Sequence, residues 1–274
     1  MITVRAIHVS VTTLEGPTPA ARFENILRSI ALQRRELLGE CDAAKWQTST
    51  PHIVCSTTLG ETLSWTGLSW NSLQSIAGFK RFDGDFGVFV DAYECASWGY
   101  AIRFARGVLG AQRVLLSIVD GNLLDLAYWK SSSDWGVSGF VSTQLALELG
   151  EVRESQCQTG FCAGGMAEFA MHVRRAAGQA EEARVAIPFC PPRTRSMFAR
   201  ALKRSKLTED LYYLHGHCFG SDPWMGIAYD NDQSPLSAKI YLACSLALRG
   251  YFAIYRINLS HDCVVMNKCR RPSV

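Results

Sequence analysis

Short apolar runs of strand length alternate along this chain with longer segments in which apolar residues recur at helical spacing. The first half of the chain predicts strands at Val4–Val11, Pro51–Ser56, Phe86–Val90, Arg113–Val119 and Gly136–Leu149, and helices at Ala20–Leu38, Leu63–Ala77 and Cys95–Leu109. Continuous apolar strands separated by helices are typical of a sheet that is covered on both faces. The pattern therefore predicts an α/β fold.

The second half repeats this order. It predicts strands at Arg184–Pro188, Leu211–Leu214, Tyr251–Asn258 and Cys263–Met266, and helices at Met166–Ala183, Arg195–Lys206, from Asp222 onward and at Leu236–Leu248. Pro191 and Pro192 break the chain before the basic helix. We expect two similar α/β halves, residues 1–150 and 151–274, that pack as one layered unit.

The composition is that of a globular protein, with 48% hydrophobic and 19% charged residues in a chain of 274. A chain of this length buries enough surface to fold without covalent staples. A net charge of +3 gives no broad basic field, so we expect no nucleic-acid partner. No window approaches the roughly 18 to 20 apolar residues of a membrane helix, so we expect no membrane span.

The ten cysteines form no CxxC pair and no Cys/His set at zinc spacing. Several lie inside apolar runs, where cysteine usually behaves as a small buried hydrophobe. The first residues, Met1–Arg5, lack the layout of a signal peptide. We therefore expect a reduced, cytoplasmic protein without a metal or nucleotide cofactor.

Cys95 lies in the segment Ala92–Ala101, where a predicted strand ends and a helix is predicted to begin. Free backbone N–H groups and the helix dipole favour a thiolate at such a junction. The alternative is a packed thiol, because cysteine is among the most buried residue types. Cys95 is a candidate nucleophile, and the residues alone leave both interpretations open.

A second candidate segment is the glycine-containing loop between the strand ending at Leu214 and the helix from Asp222. His215 and His217 lie in this loop, and Asp222 follows His217 by five residues. In a Cys-His-Asp arrangement, the histidine accepts the thiol proton and the aspartate fixes the imidazole tautomer. Alternatively, Asp222 is only a helix N-cap.

The chain resembles the ketoacyl-acyl-carrier-protein synthase III branch of the thiolase superfamily in the order of five segments: Ala92–Ala101 around Cys95, the strand Val114–Asp120, Ile187–Pro188 with its helix, the Gly216–His217 loop and a terminal two-strand hairpin. This resemblance implies a duplicated five-layer α-β-α-β-α fold, usually dimeric. It also implies that acyl groups are carried on a cysteine at the start of a buried helix, a position that Cys95 matches.

Two departures from the condensing members bear on the reaction. Those members carry a histidine after the proline of a "PHQAN"-like segment, where this chain has Phe189 after Pro188. They also carry an asparagine in an "HGNTS"-like loop, where this chain reads His217-Cys218-Phe219-Gly220-Ser221. Because the enolate of a condensation depends on such donors, their loss argues against ordinary chain elongation.

The pattern is closer to acyltransferases of this family, in which Gly-His is followed by Asp five residues after the histidine. This chain has Gly216, His217 and Asp222 at that spacing. The resemblance implies that Cys95 is the acyl-bearing nucleophile, His217 the general base and Asp222 its orienting partner.

The family stabilises the oxyanion with the N–H of its cysteine and an N–H from a glycine-rich turn in the last hairpin. The resemblance places that turn at Asn258–His261, so Ser260 and His261 are auxiliary candidates. A surface turn is the alternative for His261. Glu94, beside the candidate nucleophile, would oppose thiolate formation if it pointed inward.

The densest basic run of the chain lies on the segment where the family docks its acidic carrier: Arg193, Arg195, Arg200, Lys203, Arg204 and Lys206. Electrostatic steering supports a docking role, and a solvated helix face is the alternative. The resemblance implies a phosphopantetheine thioester, on acyl carrier protein or coenzyme A, as substrate and no bound cofactor.

These observations favour a thioester-dependent acyltransferase of specialised-metabolite or fatty-acid-related biosynthesis. Two alternatives stay open. One is an atypical condensing enzyme of the same fold. The other is a non-catalytic partner subunit of a heterodimer, because 274 residues are few for this family and its N-terminal region looks trimmed.

Overall fold

A computed structural model describes residues 1–41, 46, 50–67, 69, 86–151, 156–234 and 239–269 of the chain. The helices are α1 (Pro19–Glu40), α2 (Leu59–Thr66), α3 (Ser97–Gly107), α4 (Ala127–Lys130), α5 (Gly165–Gly178), α6 (Pro192–Ala201), α7 (Tyr212–His215) and α8 (Asp222–Gln233). Short 3₁₀ turns, Glu94–Ala96 and Phe219–Ser221, precede α3 and α8.

The strands are β1 (Ile2–Val11), β2 (His52–Cys55), β3 (Phe86–Val90), β4 (Arg113–Val119), β5 (Ser131–Ser132), β6 (Gly136–Val137), β7 (Val141–Leu149), β8 (Cys157–Phe161), β9 (Arg184–Ala186), β10 (Lys206–Leu207), β11 (Ile240–Leu246) and β12 (Tyr251–Asn267). All except the small β5–β6 hairpin join one sheet.

The same strand order occurs twice in this sheet. The strands before residue 150 are ordered β3-β2-β4-β7-β1, and those after it β10-β9-β11-β12-β8. Numbered within each set, both orders read 3-2-4-5-1. In both sets the second, third and fourth strands are parallel and the fifth is antiparallel to its neighbours.

The two sets meet where β1 pairs with β12 in parallel. The register runs from Ile2 opposite Ile257 to Val9 opposite Asn267, with an irregularity between Val4 and Ala6. β12 also pairs with β11 and β8 along its first part. This one long strand therefore binds both halves into a single sheet.

Helices α3 and α8 form the central layer, because each packs against strands of both halves. Trp98 and Trp224 meet edge to face with ring centroids 5.2 Å apart, and both side chains are buried. Helix α1 covers β1 and β7, while α5 covers β11 and β12. The layers are therefore α1, the first half of the sheet, α3 with α8, the second half of the sheet, and α5. This is the five-layer α-β-α-β-α arrangement expected from the sequence.

Three predicted elements are wrong in type. Leu211–Leu214 falls in the helical turn α7, and most of Leu236–Leu248 is strand β11, with residues 235–238 outside the described part of the chain. A fully buried apolar run has no periodicity that separates helix from strand. The hairpin predicted within Tyr251–Met266 is the single strand β12, which pairs with β1 both before its supposed turn, at Leu259, and after it, at Val264.

Some boundaries also differ. Helix α2 begins earlier than predicted and ends at Gly67, which adopts the left-handed conformation typical of a helix C-terminus. The rest of the helix predicted to Ala77 lies outside the described residues. The basic helix predicted at Arg195–Lys206 is α6, which begins earlier, at Pro192, and ends earlier, at Ala201. Strand β8 was not predicted, since its sequence Cys-Gln-Thr-Gly-Phe carries no clear apolar pattern.

We expect Gly99→Ala to destabilise the protein by about 1–3 kcal/mol, because close packing leaves no room for a side chain there. A Cβ at this position of α3 would overlap the Cβ of Ala253 and lie 3.0 Å from a ring carbon of Tyr255. Gly107→Ala is the matched control, since a Cβ at this end of the same helix meets nothing within 4 Å. Denaturant unfolding checks this, and equal midpoints for both variants would contradict it.

Candidate active site

The candidate site lies at the N-terminal ends of the two central helices. Cys95 is in the 3₁₀ turn before α3, and His217 and Asp222 flank the 3₁₀ turn before α8. The two turns pack against each other. Both helix ends carry the partial positive charge of their unsatisfied N–H groups. The fold thus brings together two segments that are 122 residues apart.

The three predicted residues lie in one line of contacts. The Cys95 Sγ is 3.9 Å from the His217 Nε2, and the His217 Nδ1 is 2.6 Å from the Asp222 Oδ2. All three side chains are buried. A sulfur–nitrogen distance of this length is typical of a thiol–imidazole pair without bound substrate.

The hydrogen bonds around Asp222 determine the tautomer of His217. Asp222 accepts backbone N–H bonds from Cys218 at 2.6 Å and from Phe189 at 2.9 Å. The His217 Nδ1 faces the carboxylate and, at 3.1 Å, the carbonyl oxygen of Phe189. Two facing acceptors require a hydrogen on Nδ1, which leaves the lone pair of Nε2 directed at the thiol. Asp222 therefore orients the imidazole and is not merely a helix cap.

Electrostatics strengthens His217 as a base. Burial lowers the pKa of His217, but the Asp222 carboxylate, together with the Cys95 sulfur in its thiolate form, outweighs it and raises this pKa well above its usual value. Burial raises the pKa of the Cys95 thiol, and the contact with His217 opposes that rise. The thiolate therefore depends on His217 to accept the proton.

Asp120, directly after β4, holds a turn that contacts Cys95. Its buried Oδ1 accepts N–H bonds from Thr57 at 2.7 Å and Thr58 at 3.0 Å, and a hydroxyl bond from Ser56 at 3.1 Å. The Thr57 hydroxyl, held in this way, lies 3.8 Å from the Cys95 Sγ. Sequence reasoning missed this turn, since polar residues after a buried strand were its only signal.

A cavity of about 450 Å³ opens beside the pair, lined by Trp135, Phe189, Phe198, His217 and Ala247–Gly250 among others. Cys95 is not one of the described residues that line this cavity. Its side chain is 2% exposed and packs in a cluster with Trp129, Trp135 and Phe219. His217 thus reaches the cavity, while the Cys95 thiol is buried among aromatic rings.

Glu94 opposes thiolate formation at Cys95, because its charge contributes to the raised pKa of that thiol, but its carboxylate binds another segment of the chain. Its backbone has a φ of +48°, a strained conformation for glutamate, and its carboxylate contacts the turn between β11 and β12. The Arg249 backbone N–H donates to Oε2 at 3.2 Å, and the Arg249 Nε is 3.3 Å from Oε1. Glu94 therefore connects the turn that contains Cys95 to the Ala247–Gly250 turn, which lines the cavity.

The turn expected at Asn258–His261 is wrong, and with it the placement of Ser260 and His261. Both residues lie within β12, where the Ser260 hydroxyl donates to the Val4 carbonyl at 3.1 Å and His261 is exposed. The turn of the last hairpin is Ala247–Gly250, which lines the cavity. The chain does not turn back here, since it pairs with the same strand β1 on both sides of these residues: Leu259 lies opposite Val4 and Val264 opposite Ala6.

The basic run divides into two groups. Arg195 is part of the local structure, since it donates to the Thr208 carbonyl at 2.9 Å and lies 3.4 Å from Asp210. The other five are exposed: Arg193, Arg200, Lys203, Arg204 and Lys206. Phe198, on the helix that carries Arg193 and Arg200, lines the cavity.

No family model matches the chain, and no curated protein is similar to it in sequence. Solved structures do match over nearly the whole chain. ChlB3, an acyltransferase, has a TM-score of 0.65 at 12% identity over 98% of this chain and 99% of its own. The 3-oxoacyl-[acyl-carrier-protein] synthase III of Aquifex aeolicus has 0.61 at 12% over 95% and 100%. The chain has the ketoacyl synthase III fold.

A third solved structure of this fold, the priming β-ketosynthase of the R1128 polyketide pathway, gives a TM-score of 0.60 at 10% identity over 94% of this chain and 96% of its own. These alignments span the other chains almost fully, so they give no support to a trimmed N-terminal region. In the described residues, no helix is long and apolar enough to span a membrane.

We expect Asp120→Asn to flatten the pH dependence of stability between about pH 4 and pH 7. Burial raises the pKa of Asp120 to about 6, against hydrogen bonds that lower it, and its Oδ2 has no recorded partner among the described residues. The native state therefore holds a proton that the unfolded chain has already lost. Stability contributed by this proton is lost as the pH rises through 6, about 3 kcal/mol in all.

Denaturant unfolding of the parent and of Asp120→Asn across this pH range measures the free energy of unfolding of each. The contributions of the other titratable groups cancel in the difference between the two proteins. Asp125→Asn is the control, because the ion pair of Asp125 with Lys130 lowers the pKa of that exposed carboxyl and moves its titration below the range. Parallel curves for the parent and Asp120→Asn would contradict the expectation.

Proposed function

We propose that this chain is a thioester-dependent acyltransferase. It takes an acyl group from a carrier-protein or coenzyme A thioester onto Cys95 and passes it to an acceptor. The observation that carries the proposal is the buried Cys95–His217–Asp222 line of contacts at the ends of two central helices, beside a cavity that His217 reaches.

In the first step, the His217 Nε2 takes the proton of the Cys95 thiol. The thiolate attacks the carbonyl carbon of the thioester, so a new carbon–sulfur bond forms and the old one breaks. The leaving pantetheine thiolate receives the proton from the imidazolium. Asp222 stabilises the imidazolium, and the positive end of α3 stabilises the sulfur anion.

In the second step, the acceptor is a hydroxyl, amine or thiol. The His217 Nε2 removes its proton as it attacks the acyl carbon, and the Cys95 sulfur leaves and recovers that proton. Neither step forms a carbanion. Phe189 offers no side-chain donor where condensing members have histidine, which favours this reaction over decarboxylative condensation.

Substrate delivery is part of the same proposal. The exposed cations Arg193, Arg200, Lys203 and Arg204 suit an acidic carrier protein or the phosphates of coenzyme A. We keep Arg195 out of this docking surface because its partners lie within the chain. A role in specialised-metabolite or fatty-acid-related biosynthesis belongs to the proposal as well.

Other expectations stay predictions. The division at 1–150 and 151–274 is supported by the repeated strand order, although both halves share one sheet. A homodimer or a heterodimer with a related chain, and a cytoplasmic location, rest on the resemblance and the sequence. The burial of Cys95 among aromatic rings, outside the lining of the cavity, favours a non-catalytic partner subunit as the second candidate function.

Incubation with short acyl-coenzyme A thioesters separates these functions. We expect one acyl group per chain, located on the Cys95 peptide by mass spectrometry, and no gain for Cys95→Ala. Cys190→Ala is the control, because Cys190 lines the cavity but lies outside the line of contacts. Equal labelling of parent and Cys95→Ala would refute the nucleophile, and no labelling with any thioester or acylated carrier would favour the partner subunit.

Asp222→Asn should slow alkylation of Cys95 by iodoacetamide at least about tenfold at neutral pH. Loss of the carboxylate lowers the pKa of His217 and so weakens the acceptor of the thiol proton, and one pKa unit corresponds to a factor of ten. Peptide-resolved mass spectrometry across a pH series measures the rate at this one cysteine. Asp134→Asn, which removes a carboxylate at the cavity rim, should leave the rate unchanged.

A further inference from the structure

Outside the line of contacts at Cys95, a second group of donor side chains converges near the start of α5. The Cys162 Sγ, a Glu168 carboxylate oxygen and a ring nitrogen of His172 all lie within 4.8 Å of one another. Cys162 precedes α5, and the other two stand one turn apart on that helix. A thiol, a carboxylate and an imidazole are the three donor types that zinc takes in proteins.

The spacing of these donors suits a tetrahedral ion. Zinc bonds of about 2.0 to 2.3 Å place neighbouring donor atoms roughly 3.3 to 3.7 Å apart. The His172 Nε2 and Glu168 Oε1 are already 3.7 Å apart. Their side chains are 28% and 41% exposed, while Cys162 is 2% exposed. An ion can therefore enter from the solvent side and keep a water on its fourth position.

Each donor is held by a neighbour that is not itself a ligand. The Gly164 backbone N–H donates to the Glu168 Oε2 at 2.8 Å, which leaves Oε1 on the side of His172. The ring of His172 stacks on Phe252 with centroids 4.8 Å apart. The Cys162 backbone N–H donates to the Gly250 carbonyl at 2.8 Å. Such supporting contacts orient metal ligands before the ion arrives.

We propose that Cys162, Glu168 and His172 bind one Zn²⁺, with water as the fourth ligand. On binding, a sulfur–zinc bond forms and the Cys162 proton passes to the solvent. The spacing Cys-x5-Glu-x3-His contains no CxxC pair, so the usual zinc spacings of cysteine and histidine do not indicate it. The inference does not depend on the proposed acyl transfer.

The location gives the ion a structural consequence for the candidate active site. Cys162 lines the same cavity as His217, and its backbone is bonded to the Gly250 carbonyl in the wall turn. A bound ion would fasten the segment between β8 and α5 to the body of α5. The ion would thereby stabilise the part of the cavity wall that contains Cys162 and Gly250, away from Cys95.

Metal titration of the full chain, first freed of metal with a chelator and dialysed, tests the site. Zn²⁺ is added against a chromophoric competitor, and Co²⁺ serves as a spectroscopic probe. We expect one ion per chain and a thiolate-to-cobalt charge-transfer band. Cys162→Ser should abolish the band, and both Cys162→Ser and His172→Gln should weaken Zn²⁺ binding at least about tenfold. Because the Cys162 thiol must lose its proton to bind the ion, affinity should rise with pH.

Two controls distinguish this site from other thiols. Cys190→Ser removes a thiol from the same cavity and should bind like the parent. Cys95→Ala removes the other thiol–imidazole pair and should also retain the ion. Loss of binding only in Cys95→Ala, unchanged binding in His172→Gln, or no binding by the parent at micromolar Zn²⁺ would each overturn the proposal. Because His172 is partly exposed, its variant decides the matter even if Cys162→Ser fails to fold.

Discussion

The carboxylate of Asp222 is the group on which the candidate site depends. It is a fully buried charge, and such a charge is tolerated only when donors surround it. Its three donors come from two places: Phe189 lies in the segment after β9, and Cys218 and His217 lie in the loop before α8. One side chain therefore fixes the relative positions of two loops and sets the tautomer of the base between them. A site organised in this way is rigid on the histidine side.

The thiol side is built differently. Cys95 is placed by a short turn whose neighbours fasten it at two points: Glu94 to the hairpin turn and Thr57 to the sulfur itself. It packs among aromatic rings and does not line the cavity, and one of these rings, Phe219, has a φ of +53°. A strained residue beside the candidate nucleophile is where, under the proposed function, a local change of conformation would admit substrate.

The sequence was sufficient for the parts of the site that are local in the chain. Cys95 at a strand–helix junction, and Gly216, His217 and Asp222 at fixed spacing, could be recognised because each signal lies within a few residues. The contribution of Asp120 could not, because it acts through a turn that follows a different strand. Ser260 and His261 were misplaced for a related reason: only the pairing of β12 with β1, which resumes at Val264 after an irregularity, determines that the chain continues past them without a hairpin.

The pairing of β1 with β12 also affects how the molecule folds. Ile2 and its neighbours pair with residues about 255 positions later, so β1 has no parallel partner until β12 has been synthesised. Antiparallel pairing with β7 can hold β1 in the meantime. Contacts of such long sequence separation slow folding and leave an unpaired edge exposed during synthesis. The half that contains Cys95 is therefore open to wrong partners until the rest of the chain arrives.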